Sequence, residues 1–150
     1  MKKLIAILST ILIMSGTISA QSILDGMDKM IEIRWNTNGV VYNGLLSFYN
    51  NGSGVFAVTY YLYPYGEIRV LQQAEMNFQY DAYGNCTTYI YCRNPQSNPP
   101  LAYSADNFVI YPNGAMYTQD TSGRWSYAIT ANIIPRPSWR GKLKEYGISE

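Results

Sequence analysis

Groups able to do chemistry are few in this chain, and the gaps among them are informative. There is no histidine in 150 residues. A Ser-His-Asp triad, a Cys-His pair and His-containing zinc sites are therefore excluded. The two cysteines, Cys86 and Cys92, cannot build a four-thiolate site. No phosphate loop or dinucleotide fingerprint occurs, and we expect neither metal nor cofactor. A pair of carboxylates is the one remaining route to catalysis, because two acids suffice to hydrolyse a glycoside. Past residue 20 the acids are Asp25, Asp28, Glu32, Glu67, Glu75, Asp81, Asp106, Asp120, Glu145 and Glu150. Asp81, Asp106 and Asp120 stand in turn contexts, where Asp is a routine choice. Glu32 and Glu75 fall on polar strand faces and would meet only if those faces turned inward in a barrel. Solvated strand charges are the plainer reading, and we expect no enzyme.

Tyrosine is the abundant functional group, with 15 in the chain. On the third and fifth expected strands, the face opposite the main apolar one carries Tyr61, Tyr63, Tyr89 and Tyr91. Tyr111 and Tyr117 extend that set. A phenol ring is stiff and amphipathic, so an exposed tyrosine surface suits sugars, peptides or proteins. The competing reading is cross-strand tyrosine pairs that only stabilise a sheet. These six tyrosines are the candidate ligand-binding residues.

An even cysteine count in an exported chain invites a Cys86–Cys92 disulfide. The residues between them read as strand, however, and contain no turn former. Six extended steps would separate the two sulfurs by about 20 Å, so the bond forms only if the chain reverses between them.

The elements that must position these groups show as a series of period-2 runs between turn signals from residue 30 to 134. Residues 30–35 place Ile31, Ile33 and Trp35 opposite Glu32 and Arg34. Residues 40–49 alternate Val40, Tyr42, Leu46 and Phe48 against Asn43 and Ser47. Residues 55–63 bring Phe56, Val58, Tyr60 and Leu62 together. The fourth run sets Ile68, Val70, Ala74, Met76 and Phe78 against Arg69, Gln73, Glu75, Asn77 and Gln79, and only Leu71 and Gln72 break it. The fifth spans residues 86–93. Residues 94–106 carry Pro95, Pro99 and Pro100 and read as a loop, because proline donates nothing to a ladder. Residues 107–111, 115–119 and 124–134 complete eight strands. Asn-Gly and Pro-Gly clusters supply the turns between them.

The two ends differ from this middle. Pro135 and Pro137 stop the last strand, and Ser138 opens a short C-terminal helix with Trp139, Leu143 and Tyr146 at i, i+4 and i+7 before Gly147. Residues 22–30 are expected to form one or two helical turns burying Ile23, Leu24 and Met27. Ahead of them, Lys2 and Lys3 precede an apolar run over 4–14 and a small, polar stretch ending at Ala20. That order is a secretory signal peptide, cleaved after Ala20. The run is too short to span a membrane, which takes ~20 apolar residues.

The expected mature chain is thus one β domain over residues 21–150, secreted or periplasmic. Losing Lys2 and Lys3 leaves nine basic against ten acidic residues, a balance that gives nucleic acid no purchase. The fold expected is all-β: about eight antiparallel strands in a meander, an up-and-down barrel in preference to a two-sheet sandwich. Function follows as non-catalytic binding. The partner is a small apolar ligand in a calyx, or a glycan or protein on the tyrosine face. A small outer-membrane barrel is the first alternative and a carboxylate-dependent hydrolase the second.

Overall fold

The computed structural model describes residues 24–119, 122–128 and 130–148. The expected signal peptide over residues 1–20, together with Asp120, Ile129 and Glu150, lies outside the described residues. Nine antiparallel strands follow one another: β1 (Met27–Thr37), β2 (Val40–Tyr49), β3 (Ser53–Leu62), β4 (Gly66–Tyr80), β5 (Cys86–Asn98), β6 (Asn107–Ile110), β7 (Met116–Gln119), β8 (Trp125–Tyr127) and β9 (Thr130–Ile133). They form a single sheet in the order β8-β7-β6-β5-β4-β3-β2-β1-β9. The expected meander is therefore present, and it curls into a half-barrel instead of splitting into two sheets.

The count differs from eight because the last run divides. Its first part pairs with β7, Tyr117 opposite Tyr127, and its second pairs with β1, Arg34 opposite Thr130. Three chain steps join Tyr127 to Thr130, so the two margins of the sheet lie within about 11 Å of each other there. A flat sheet of this width would hold its margins roughly 38 Å apart, eight strand spacings of about 4.8 Å. The short link makes the curl obligatory.

Alternation sends one set of side chains inward. Ile31, Ile33 and Trp35 of β1 meet Leu46 and Phe48 of β2, Phe56 and Val58 of β3, Ile68 and Val70 of β4, Ile90 of β5 and Phe108 of β6. Trp35 and Phe56 each contact Phe108 edge-on, at 5.5 and 5.1 Å between ring centres. These strands are not neighbours in the sheet, so the rings meet through the interior and fill it. Gly44 makes room for them, since a methyl there would overlap the Phe56 ring and reach 3.0 Å from Trp35.

Part of the outer face of β1 to β3 is buried as well. A 3₁₀ turn (Arg136–Ser138) leads into helix α1 (Trp139–Glu145), which lays Trp139, Leu143 and Tyr146 over Met30, Leu45, Val55 and Ala57. Leu71, an exception to the sequence alternation, packs against this outer layer. The helix stops in a Schellman arrangement: Ile148 N–H donates to Leu143 C=O and Gly147 N–H to Lys144 C=O, with Gly147 in the left-handed region at φ +82°. Trp139 Nε1 donates to Ile134 C=O at 2.8 Å, tying the helix to the end of the last strand.

Two boundaries are corrected. β1 begins at Met27, so no helical turn runs over residues 27–30; Gly26, at φ +79°, turns the chain into the strand instead. β5 continues to Asn98, past the expected end at residue 93. Pro95 is tolerated because the β4–β5 register shifts between Leu71 and Gln73, where Asn94 adopts φ +55°.

Two substitutions test this two-layer burial by urea denaturation. Gly44→Ala overpacks the interior and should cost about 1–3 kcal/mol. Leu143→Ala empties a fully buried site beneath α1 and should cost about 2–5 kcal/mol.

Candidate functional site

The aromatic filling stops short of one end of the half-barrel. There the ends of β1, β3 and β7 and the loop from 99 to 106 surround a cleft of about 780 Å³. Its aromatic wall follows from register: Trp35 lies opposite Tyr42, and Tyr42 opposite Tyr60, so alternation sets the three side by side across β1, β2 and β3. Trp35 stacks on Tyr42 at 5.2 Å and Tyr42 meets Tyr60 at 4.8 Å. The loop folds inward and adds Tyr103, 5.9 Å from Tyr60. Thr37, Asn38, Thr118 and Gln119 supply polar groups around the rim.

At the cleft's edge sits the one carboxylate among its described lining residues, Asp106. Its Oδ2 accepts from Gln72 Nε2 at 2.7 Å and from the Tyr103 hydroxyl at 2.8 Å. Its backbone N–H donates to Gln72 Oε1 at 3.0 Å, and its C=O accepts from Cys92 N–H. Gln72 is fully buried and Asp106 is 9% exposed. Burial pushes the Asp106 carboxyl up to about 6, against the lowering effect of the two donors. Tyr103 is raised by its own burial and by the adjoining Asp106 charge, so its phenol stays protonated.

The residues singled out from the sequence are dispersed. Tyr89 and Tyr91 stack with each other on the outer face at 6.3 Å, and Tyr111 meets Tyr117 at 5.5 Å. Tyr89 and Tyr117 flank Val109 in register, which leaves Val109 only 1% exposed. Tyr61 and Tyr63 are exposed at the far end of β3. Tyr61 pairs with Glu67 and Tyr91 with Glu75, which places them about 26 Å apart along β4. No single surface gathers all six.

Glu32 and Glu75 do not meet either. Both lie on the outer face, where Glu32 binds Lys142 Nζ at 3.0 Å and the Tyr146 hydroxyl at 3.0 Å. Glu75 pairs with Arg93 at 3.1 Å. The register sets them about 20 Å apart across the sheet. Cys86 and Cys92 sit on β5 without a reversal between them, and both thiols are free. Among the described residues no group of three metal-ligating side chains occurs.

The cleft residues were partly visible in the pattern. Tyr42 and Tyr60 stand on the apolar face of their strands, where a phenol needs a polar outlet. Gln72 interrupts the apolar face of the fourth strand. Asp106 carried no signal beyond its place after a proline-rich loop.

Comparisons with protein-family models, with curated proteins and with solved structures give no match. The class the geometry defines is an antiparallel β half-barrel with an aromatic cleft and a buried acid at one end.

The Asp106 carboxyl gives this site a pH signature. Its folded value, about 6, lies above the ordinary 3.8. The native state therefore holds a proton that the unfolded chain has released, and the associated stability is full below about pH 4 and lost as pH rises through 6. Asp106→Asn should remove this slope. Between pH 4 and 7 the variant should gain about 2–3 kcal/mol on the native protein in urea melts, from a shift of some two units. A difference that stays flat over that range would show that the carboxyl is not desolvated.

Proposed function

We propose that this chain is an exported, non-catalytic binding protein that takes a small ligand into the mouth of its half-barrel. The cleft carries the reading. It is concave, of small-molecule size, and lined by rings with a few convergent polar groups, which is the usual make-up of a ligand site. The filled aromatic layer beneath it forms a rigid floor, so the ligand binds at the mouth and not in a deep calyx. The ligand is mixed in character, because Asp106, Asn38 and Gln119 share the lining with Trp35 and Tyr42.

Export rests on the order of the first twenty residues. Among the described residues, no helix is long and apolar enough to cross a membrane. An outer-membrane barrel is the weaker reading on polarity. Such barrels need an apolar outer band, whereas here the interior is apolar and Arg34, Arg69, Glu75 and Arg93 face outward. A carboxylate hydrolase is weaker still, since the candidate pair is held apart in separate ion pairs.

Fragment screening by two-dimensional NMR tests the proposal. Shifts should gather on Trp35, Tyr42, Tyr103 and Asp106. Ser104→Trp, at an exposed position on the rim, should weaken any such binding at least tenfold while changing stability by less than about 0.5 kcal/mol. Shifts confined to Tyr61 and Tyr63, or to Tyr89, Tyr91, Tyr111 and Tyr117, would overturn the cleft reading in favour of an outer tyrosine surface.

A further inference from the structure

We propose that the ligand presents an organic ammonium group, a primary amine or a quaternary nitrogen, to Asp106 Oδ1 and the rings of Tyr42, Tyr60 and Tyr103. The inference rests on the cleft being the ligand site and adds the charge that the ligand must carry there.

The first ground is an unmatched negative charge. Both side-chain donors to Asp106 go to Oδ2, and among the described residues Oδ1 accepts no hydrogen bond. No Lys or Arg stands among the described residues that line the cleft. A carboxylate nine-tenths buried without a cation is costly, and its usual remedy is a paired positive charge. The protein leaves that partner out on the side where the carboxyl borders the cleft.

The second ground is the aromatic wall beside it. Aromatic ring faces attract cations within about 6 Å, and this attraction grows when water is excluded. Tyr42, Tyr60 and Tyr103 are mutually within 6.5 Å, and the Tyr103 hydroxyl binds Asp106 at 2.8 Å, so the carboxyl borders a cluster of rings. A metal ion fits less well, because the site offers one carboxylate and no cluster of three ligating side chains among the described residues. A neutral sugar satisfies the rim hydrogen bonds but leaves the charge unmatched.

The groups that sense the Asp106 charge are Tyr42 from β2, Tyr60 from β3, Cys92 from β5 and Tyr103 from the loop. All four are raised and stay neutral between pH 5 and 8. Gln72 from β4 and Thr118 and Gln119 from β7 carry no charge. Among the described residues lining the cleft, Asp106 alone thus sets the electrostatic response in this range.

Calorimetric titration of the protein at pH 7.5 and 5.0 tests the proposal, with tetramethylammonium, phenethylamine and the neutral 2-phenylethanol as probes. Both cations keep their charge at either pH. They should bind at pH 7.5 and weaken about tenfold at pH 5.0, as a carboxyl titrating at about 6 becomes protonated. Asp106→Asn should weaken them at least tenfold at pH 7.5. The pH comparison on the unaltered protein needs no variant to fold. Equal affinity for phenethylamine and 2-phenylethanol, or cation binding indifferent to pH, would overturn the inference. If such binding is still abolished by Ser104→Trp, the cleft reading stands alone; binding untouched by Ser104→Trp overturns both.

Discussion

The architecture depends on the stretch of chain from residue 125 to 133, which pairs with one margin of the sheet and then with the other. Two short ladders, Tyr117–Gln119 with β8 and Ile31–Arg34 with β9, are joined through two residues. That covalent tether forces the sheet to curl. Once it curls, the inward side chains of non-adjacent strands must share one volume. Trp35, Phe56 and Phe108 occupy it because their rings can pack edge-on and stacked at 5–6 Å. Gly44 is then needed where the rings crowd the backbone. The tether also explains why the last run cannot remain one straight strand: its two halves answer to different partners.

The same curl distributes burial unevenly. β2 and β3 lie under α1 on one side and over the aromatic interior on the other, so residues 44–49 and 54–58 are buried without a break. Among the described residues, β5 to β7 have no helix outside them. Their outer apolar residue, Val109, is sheltered by Tyr89 and Tyr117 instead. Paired tyrosines there do for the exposed part of the sheet what α1 does for the covered part. Glu32, reached by both Lys142 and Tyr146, fixes the helix against β1 and is a structural acid on that account.

Much of this was legible in the chain. The inward sets of β1, β3 and β4 follow period 2, and the helix followed from Trp139, Leu143 and Tyr146 with Gly147 behind them. What escaped were the places where two layers or two distant segments compete for one residue. Leu71 and Gln72 looked like a lapse in alternation, yet both keep the parity of their strand. Leu71 is apolar on an outward position because α1 covers it. Gln72 is polar on an inward position because Asp106, 34 residues away, needs its amide. Alternation reads the backbone correctly and misreads the environment, since no local pattern reports what arrives from a loop. The six tyrosines do not gather on one surface for a related reason: sharing a face does not fix position along a strand.

The loop from 99 to 106 is where the molecule departs from simple packing. Leu101 and Tyr103 fold against the interior, and their burial carries Asp106 with them. Gln72 answers both polar edges of that aspartate, its amide donating to Oδ2 and its carbonyl accepting from the backbone. Such a two-point match fixes the loop's register on β4 and orients the carboxyl. An apolar pair at these positions would seal the end of the half-barrel at lower electrostatic cost. Retaining a desolvated acid there, with one oxygen open to the cleft, sacrifices stability at neutral pH for a defined charge at a defined place. Departures of this kind from an otherwise consistent β pattern mark functional or strained places, and here the departure borders the cleft.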